Sequence, residues 1–446
     1  MTRRRALWLV AAAVLVGVIA FVFWPWSERA FYDYIEERKA AGLPTTRDEV
    51  RGPAPSAEEN GAEDLRAAWA ALEKDQGPTS SWKGSGFDES IDLGDRTWPD
   101  GLSTEQRTDL AKTAERLRPG IDQLVRALDR PRLVFPVTFG ANGWRDVEPQ
   151  MMLVSDATRA LQIQAAGNAD PARRLAACRA SLLLADRAEP SSWLEWVLAQ
   201  WARTSGVSSL RDGVETGRLD ARDARAACDG LLATSVLARY RAASRAEAVE
   251  LLENYRALVE GRAVPSTAKL TPWKRIEHRV DMARRRFAGT ACPLDMDFEP
   301  GIAHVIVALC RSRDAIGGVA DLRTLATEDG LAAIDGTGLL RESGPKNGTV
   351  KLTQTALRNE AAVRLARVAL AAAGFRATHG DFPVSIDDLR PMFPDGVPLD
   401  PFAEAPFVYE RTATGVRIAS TGRLADADPV DQQRLRDQGL AWELKR

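Results

Sequence analysis

A chain of 446 residues with 27% charged and 45% apolar side chains has ordinary globular composition, with room for about two to three domains. Lys plus Arg number 60 against 62 for Asp plus Glu, a formal net charge of -2, so no excess of cations exists to neutralise a phosphate backbone, and nucleic acid is not an expected partner. Only three histidines occur, without HExxH, HxH or GxSxG patterns, which argues against zinc and serine hydrolysis.

The run Ala6 to Trp26, ALWLVAAAVLVGVIAFVFWPW, carries no charge and is long enough to cross a hydrocarbon core of roughly 30 Å as a helix. Arg3, Arg4 and Arg5 precede it, which places the N-terminus in the cytoplasm and everything from Ser27 onward outside. FWPWSERAF is bulky and charged where a signal peptidase needs small side chains, so residues 1–27 read as a cytoplasmic tip and an uncleaved anchor, with membrane lipid as partner.

Residues 28–103 form a helical opening segment and a long loop. A short helix continues from Ser27 to Gly42, Pro53 and Pro55 break one element, and Ser56 can cap the next. Asp75 to Ser103 carries turn residues throughout and no periodicity.

Residues 104–349 read as a mainly α body. Asp170 followed by Pro171 opens one helix, Ser192 with Glu195 makes a capping box for the next, Asp220 caps a third, and Gly261 closes a fourth. No motif recurs at a fixed period, so the expected architecture is a helical bundle or an irregular helical stack.

Four cysteines occur. Cys178 and Cys228 sit among alanines on helical patterns and read as small buried side chains. Cys292 lies in a proline-bearing loop and Cys310 on an apolar helix, and outside the cytoplasm a Cys292–Cys310 disulfide is chemically allowed. In CPLDMDFEPGIAH, Cys292, Asp295, Asp297, Glu299 and His304 could surround a cation, or form an acidic loop before a buried helix. WKRIEHRVDMARRRF places Trp273, Ile276, Val280 and Phe287 at near-helical spacing, suiting either a membrane surface or a core stripe with a solvated basic face.

Residues 350–446 combine a long helix with a small α+β module. From Lys351 to Phe375, Leu357, Ala361, Leu365, Val368, Ala372 and Phe375 line one helix face, with Glu360 and Arg364 paired on the opposite side. A turn at Gly380, a short helix near Ser385 to Met392 and a β-hairpin around Ala413 to Gly415 follow.

The succession ATHGDFPVSIDDL, VPLDPF, APFVYE and RIASTGR after an Ala-rich helix resembles the C-terminal part of G-type pseudopilins of type II secretion. The matching positions are Gly380, Phe382, Pro383, Ser385 and Leu389; Asp400, Pro401 and Phe402; Tyr409; and Ser420 and Gly422. That resemblance implies a pseudopilin-like cap and, from a calcium-binding loop in the family, oxygen ligands at Asp426, Asp428 and Asp431, although the family's Gly-rich spacing is lost. MTRRRALWLVAAA lacks the leader-peptidase site of a pseudopilin, so polymerisation into a pilus is not expected. The chain as a whole also resembles bacterial membrane-anchored helical proteins of no assigned activity. The expected setting is a single-pass protein of a bacterial inner membrane with its bulk in the periplasm. The expected role is interaction or scaffolding among envelope proteins; the alternative is an extracytoplasmic hydrolase or metal-dependent enzyme using the segment from Cys292 to His304.

Overall fold

The computed structural model describes residues 29–76, 104–135, 138–139, 145–146, 148–188, 193–260, 303–318, 321–326, 348–421 and 440–445. The protein is mainly helical with a small three-stranded antiparallel sheet. Among the described residues no helix is long and apolar enough to cross a membrane, and the run Ala6 to Trp26 lies outside them. The chain divides into two compact units: Met1–Pro53, Thr138–Asp146 and Arg241–Lys351 form the first, and Ala54–Val137, Val147–Tyr240 and Leu352–Arg446 the second.

In the first unit, α1 (residues 29–40) ends before Gly42, whose φ of 68° is the left-handed conformation that glycine adopts without a Cβ penalty. The short α2 (Arg47–Arg51) is held by a capping box in which Thr46 accepts from Glu49 N and the Glu49 carboxylate accepts from Thr46 N. Arg47 forks onto Glu250 and reaches Glu253, tying α2 to the later helix. Apolar residues of α1 (Phe31, Tyr34 and Ile35), of α9 (Val236–Val259; Ala248, Leu251, Leu252 and Tyr255) and of α10 (Ala303–Gly318; Ile306, Val307 and Cys310) make one core. The Phe31 and Tyr255 rings meet edge to face at 4.8 Å. A 3-10 turn, Leu322–Ala326, and a two-residue ladder of β1 (Thr138–Phe139) with β2 (Arg145–Asp146) complete what is described of this unit.

In the second unit, α3 (Ala62–Gln76), α4 (Thr104–Ala127), α5 (Glu148–Gly167), α6 (Pro171–Arg187), α7 (Trp193–Glu215) and α8 (Ala221–Leu232) follow one another, with α6 packed against α5, α7 and α8. Asp75 therefore belongs to a helix rather than to a loop, while the rest of the expected loop lies outside the described residues. Asp170 accepts from Ala172 N with Pro171 at the first helical position, and Asp220 accepts from Arg222 N and Asp223 N, as their sequence patterns predict. Ser192, Pro190 and Gly261 lie outside the described residues; α9 (Val236–Val259) ends just short of Gly261.

The start of α3 differs from expectation. Ser56 does not cap it; the Asn60 carboxamide does, accepting from Ala62 N at 3.2 Å and Val134 N at 2.9 Å while donating to Val134 O at 2.8 Å. A carboxamide can serve two chain segments at once, whereas a hydroxyl is too short to span them. Asn60→Ala should lower stability by roughly 1–2 kcal/mol, read as a lower unfolding midpoint, with Ser56→Ala close to wild type. Equal effects would remove Asn60 from this role.

The long helix, α11 (Gly348–His379), is also less one-sided than its sequence suggests. Between Ala361 and Ala372 nearly every side chain is buried, because neighbours surround it. Glu360 does pair with Arg364 at 2.7 Å, but it does not face solvent; it is 3% exposed and its carboxylate accepts from Val236 N and Leu237 N, capping α9 from a different helix. Trp196 stacks at a tilt on Tyr240, whose hydroxyl meets Thr353. Arg203, 1% exposed, donates to Thr234 O, and burial pulls its guanidinium down to about 10.

Candidate functional site

The C-terminal module is assembled from local turns fastened at three points. Gly380, with φ 83°, ends α11 by donating to Arg376 O at 2.8 Å and redirects the chain. Phe382 then enters the core at 3% exposure, and Ser385 starts the 3-10 helix Ile386–Met392 by donating its amide to the Asp388 carboxylate, with Leu389 fully buried beneath. Strands β3 (Val408–Thr412), β4 (Gly415–Ala419) and β5 (Ala441–Lys445) form a sheet in the order β3-β4-β5, antiparallel throughout. The hairpin is the expected one, and the third strand is additional to it. A Cβ at Gly415 would lie 1.8 Å from Leu444 O, so only glycine allows β5 to close on β4 there.

Asp400 is the first fastening. It is fully buried and its carboxylate accepts from Phe402 N, Ser420 Oγ, Thr421 N and Thr421 Oγ1 at 2.7 to 3.1 Å. An ionised carboxylate takes several donors at once, so one side chain orders both the turn after Asp400 and the end of β4. The second is Tyr409, whose hydroxyl donates to Pro383 O at 2.7 Å and is pushed up to about 12 chiefly by burial. The third is β5 itself: Trp442 is fully buried, Glu443 N donates to the Glu215 carboxylate, and Arg376 donates to Lys445 O.

The two sheet edges therefore differ. The outer edge of β5 is covered by side chains from α7 and α11, whereas β3 ends the sheet and is exposed along most of its length. Val384, Leu399 and Val408, exposed at 76%, 42% and 39%, supply three of the four large exposed apolar side chains among the described residues. Glu410 and Arg411 alternate charge along the same strand, which keeps an edge soluble without covering it. None of these exposed residues stood out in the sequence; a strand mixing Val and Tyr with charges was the available signal.

The sequence-predicted ligand sets fall elsewhere. Asp426, Asp428 and Asp431, and likewise Cys292, Asp295, Asp297 and Glu299, lie outside the described residues. His304 falls on α10, and its side chain is outside them too. Among the described residues no three His, Cys, Asp or Glu side chains are grouped to hold a metal ion. Cys178, Cys228 and Cys310 are buried free thiols; Cys310 donates to Ala248 O at 3.4 Å. Burial pushes all three up, Cys228 to about 12, so they stay protonated at neutral pH and are poor nucleophiles. No protein-family model matches the chain, and no curated protein or solved structure matches it.

Proposed function

We propose that this chain is a membrane-anchored extracytoplasmic protein of the bacterial envelope that binds another envelope protein through the β3 edge of its pseudopilin-like C-terminal module, in a setting linked to type II secretion. The observation that carries the reading is the asymmetry of the sheet: one edge is covered from within the chain and the other is an exposed strand that begins with the exposed Val408, in a module that also exposes Val384 and Leu399. An extended segment added to such an edge gains main-chain hydrogen bonds, and exposed apolar side chains such as Val408 supply selectivity. The charge-free run Ala6 to Trp26 and the arginines before it support the anchor and its orientation.

The test places a photo-crosslinking residue at Leu399 in the full-length protein in its own membrane. A discrete adduct with one envelope protein is expected, reduced at least about fivefold by Val408→Lys or Val384→Lys, since a lysine at a desolvated contact costs on the order of 1 kcal/mol or more. Adducts indifferent to both charges, or none at all, overturn the reading.

A further inference from the structure

The register of the C-terminal hairpin fixes which way each main-chain group of β3 points. Thr412 pairs with Gly415 across a loop of two residues, Ala413 and Thr414, and a loop of that length closes on a pair that exchanges both of its hydrogen bonds. Alternation along the ladder then bonds Glu410 to Arg417 and Val408 to Ala419, and turns the amide and carbonyl of Tyr409 and of Arg411 outward, away from β4. Among the described residues no hydrogen bond to these four groups comes from outside the sheet, so β3 offers two open pairing positions.

The side chains alternate as well. Val408, Glu410 and Thr412 share one face, where Arg417 donates to the Glu410 carboxylate at 3.0 Å; Tyr409 and Arg411 share the other, where Arg411 donates to Asp381 at 2.7 Å. Each charge has one partner within the chain. A carboxylate accepts several donors and a guanidinium carries five, so both can take a second partner across the edge.

A second copy of β3 is a poor occupant. Two identical strands that pair antiparallel about a twofold axis must set one residue opposite itself. Centred on Glu410, which engages both outward positions, the pairing opposes two carboxylates; centred on Arg411, it opposes two guanidinium groups; centred on Tyr409, it faces Glu410 with Val408. Like charges directly opposite destabilise a ladder, and a carboxylate opposite valine gains no partner.

We propose that the β3 edge selects a segment of a different chain that pairs antiparallel and reads, from N to C, acidic, basic, apolar, apolar, opposite Arg411, Glu410, Tyr409 and Val408. This rests on the binding role assigned to the edge above and adds the chemistry of the partner. Antiparallel addition continues the sheet β3-β4-β5 and has the more stable hydrogen-bond pattern. The acid meets the Arg411 guanidinium, the base meets Glu410, and the apolar pair covers Tyr409 and the exposed Val408.

The test titrates the full-length protein in detergent against two fluorescein-labelled peptides of one composition, Thr-Glu-Lys-Val-Val-Thr and Thr-Lys-Glu-Val-Val-Thr, followed by anisotropy. The first should bind at least about fivefold more tightly, since exchanging its charges turns two cross-strand attractions into repulsions. Arg411→Ala should narrow that preference. Arg411→Pro, which also removes an outward amide but no bond to β4, should abolish binding with β4 amide exchange unchanged; should it disturb the sheet, the two peptides on the unaltered protein still decide. Equal binding of the two peptides, or binding indifferent to Arg411→Pro, overturns the inference. If the Leu399 adduct and its sensitivity to Val408→Lys persist under those results, the edge binds without reading this order; if the adduct is absent too, the binding role fails with it. An adduct joining two copies of this chain also overturns the inference.

Discussion

Asp400→Ala is expected to lower the stability of the C-terminal module by roughly 3–5 kcal/mol, the largest effect of any single polar substitution there. The alanine would leave the Phe402 and Thr421 amides and the Ser420 and Thr421 hydroxyls without their shared acceptor, in a place where Asp400 itself is fully buried. Each donor so stranded costs on the order of 1–3 kcal/mol, reduced where water enters as the turn loosens. Asp400→Asn keeps the shape but replaces one acceptor oxygen with a donor, and should cost less, about half as much. Hydrogen exchange is the right readout, because a chain of two units need not unfold in one step. Faster exchange at β3 and β4 amides in Asp400→Ala, with α4 and α5 unchanged, is the expected pattern. Unaltered exchange in the sheet would show that the carboxylate is not what fastens it.

In the first unit, Arg38→Met should cost about 3–5 kcal/mol, the usual result of removing one member of a buried ion pair. Arg38 is 1% exposed, binds Asp314, and donates twice to Pro44 O. Without it Asp314 keeps the Tyr34 hydroxyl, at 2.6 Å, but loses its counter-charge, and the chain after Gly42 loses the donor that anchors Pro44. Pairing Arg38→Met with Asp314→Leu should recover much of the loss, since an apolar pair of similar volume avoids the stranded charge. The comparison is a double-mutant cycle read by the protection of α10 amides. Strict additivity of the two substitutions would mean that the pair is not coupled.

What was legible in the sequence was what is decided locally. Asp170 with Pro171, Asp220, the Gly380 turn and the hairpin between Val408 and Ala419 each follow from a few neighbouring residues, and each is present. What escaped depends on partners distant in the chain. Ser56 and Asn60 are both plausible caps, and only the return of Val134 favours the carboxamide. Glu360 and Arg364 fit the pattern of an exposed pair, yet the amides opening α9 draw that carboxylate inside. AWELK at 441–445 is too short to announce itself as a strand without β4 beside it.

The base of the C-terminal sheet also has a consequence for protein engineering. Ser420 N donates to Leu440 O at 2.9 Å, and Asp400 grips Thr421 next to it, so the end of β4 and the start of β5 are tied together at this point. Once two points of a chain are held together by their own bonds, lengthening the connection between them adds only a closure term of about 0.6 kcal/mol per doubling. An affinity peptide or a fluorescent reporter spliced between Thr421 and Leu440 is thus expected to leave β4 and β5 in register, read as unchanged hydrogen exchange of their amides.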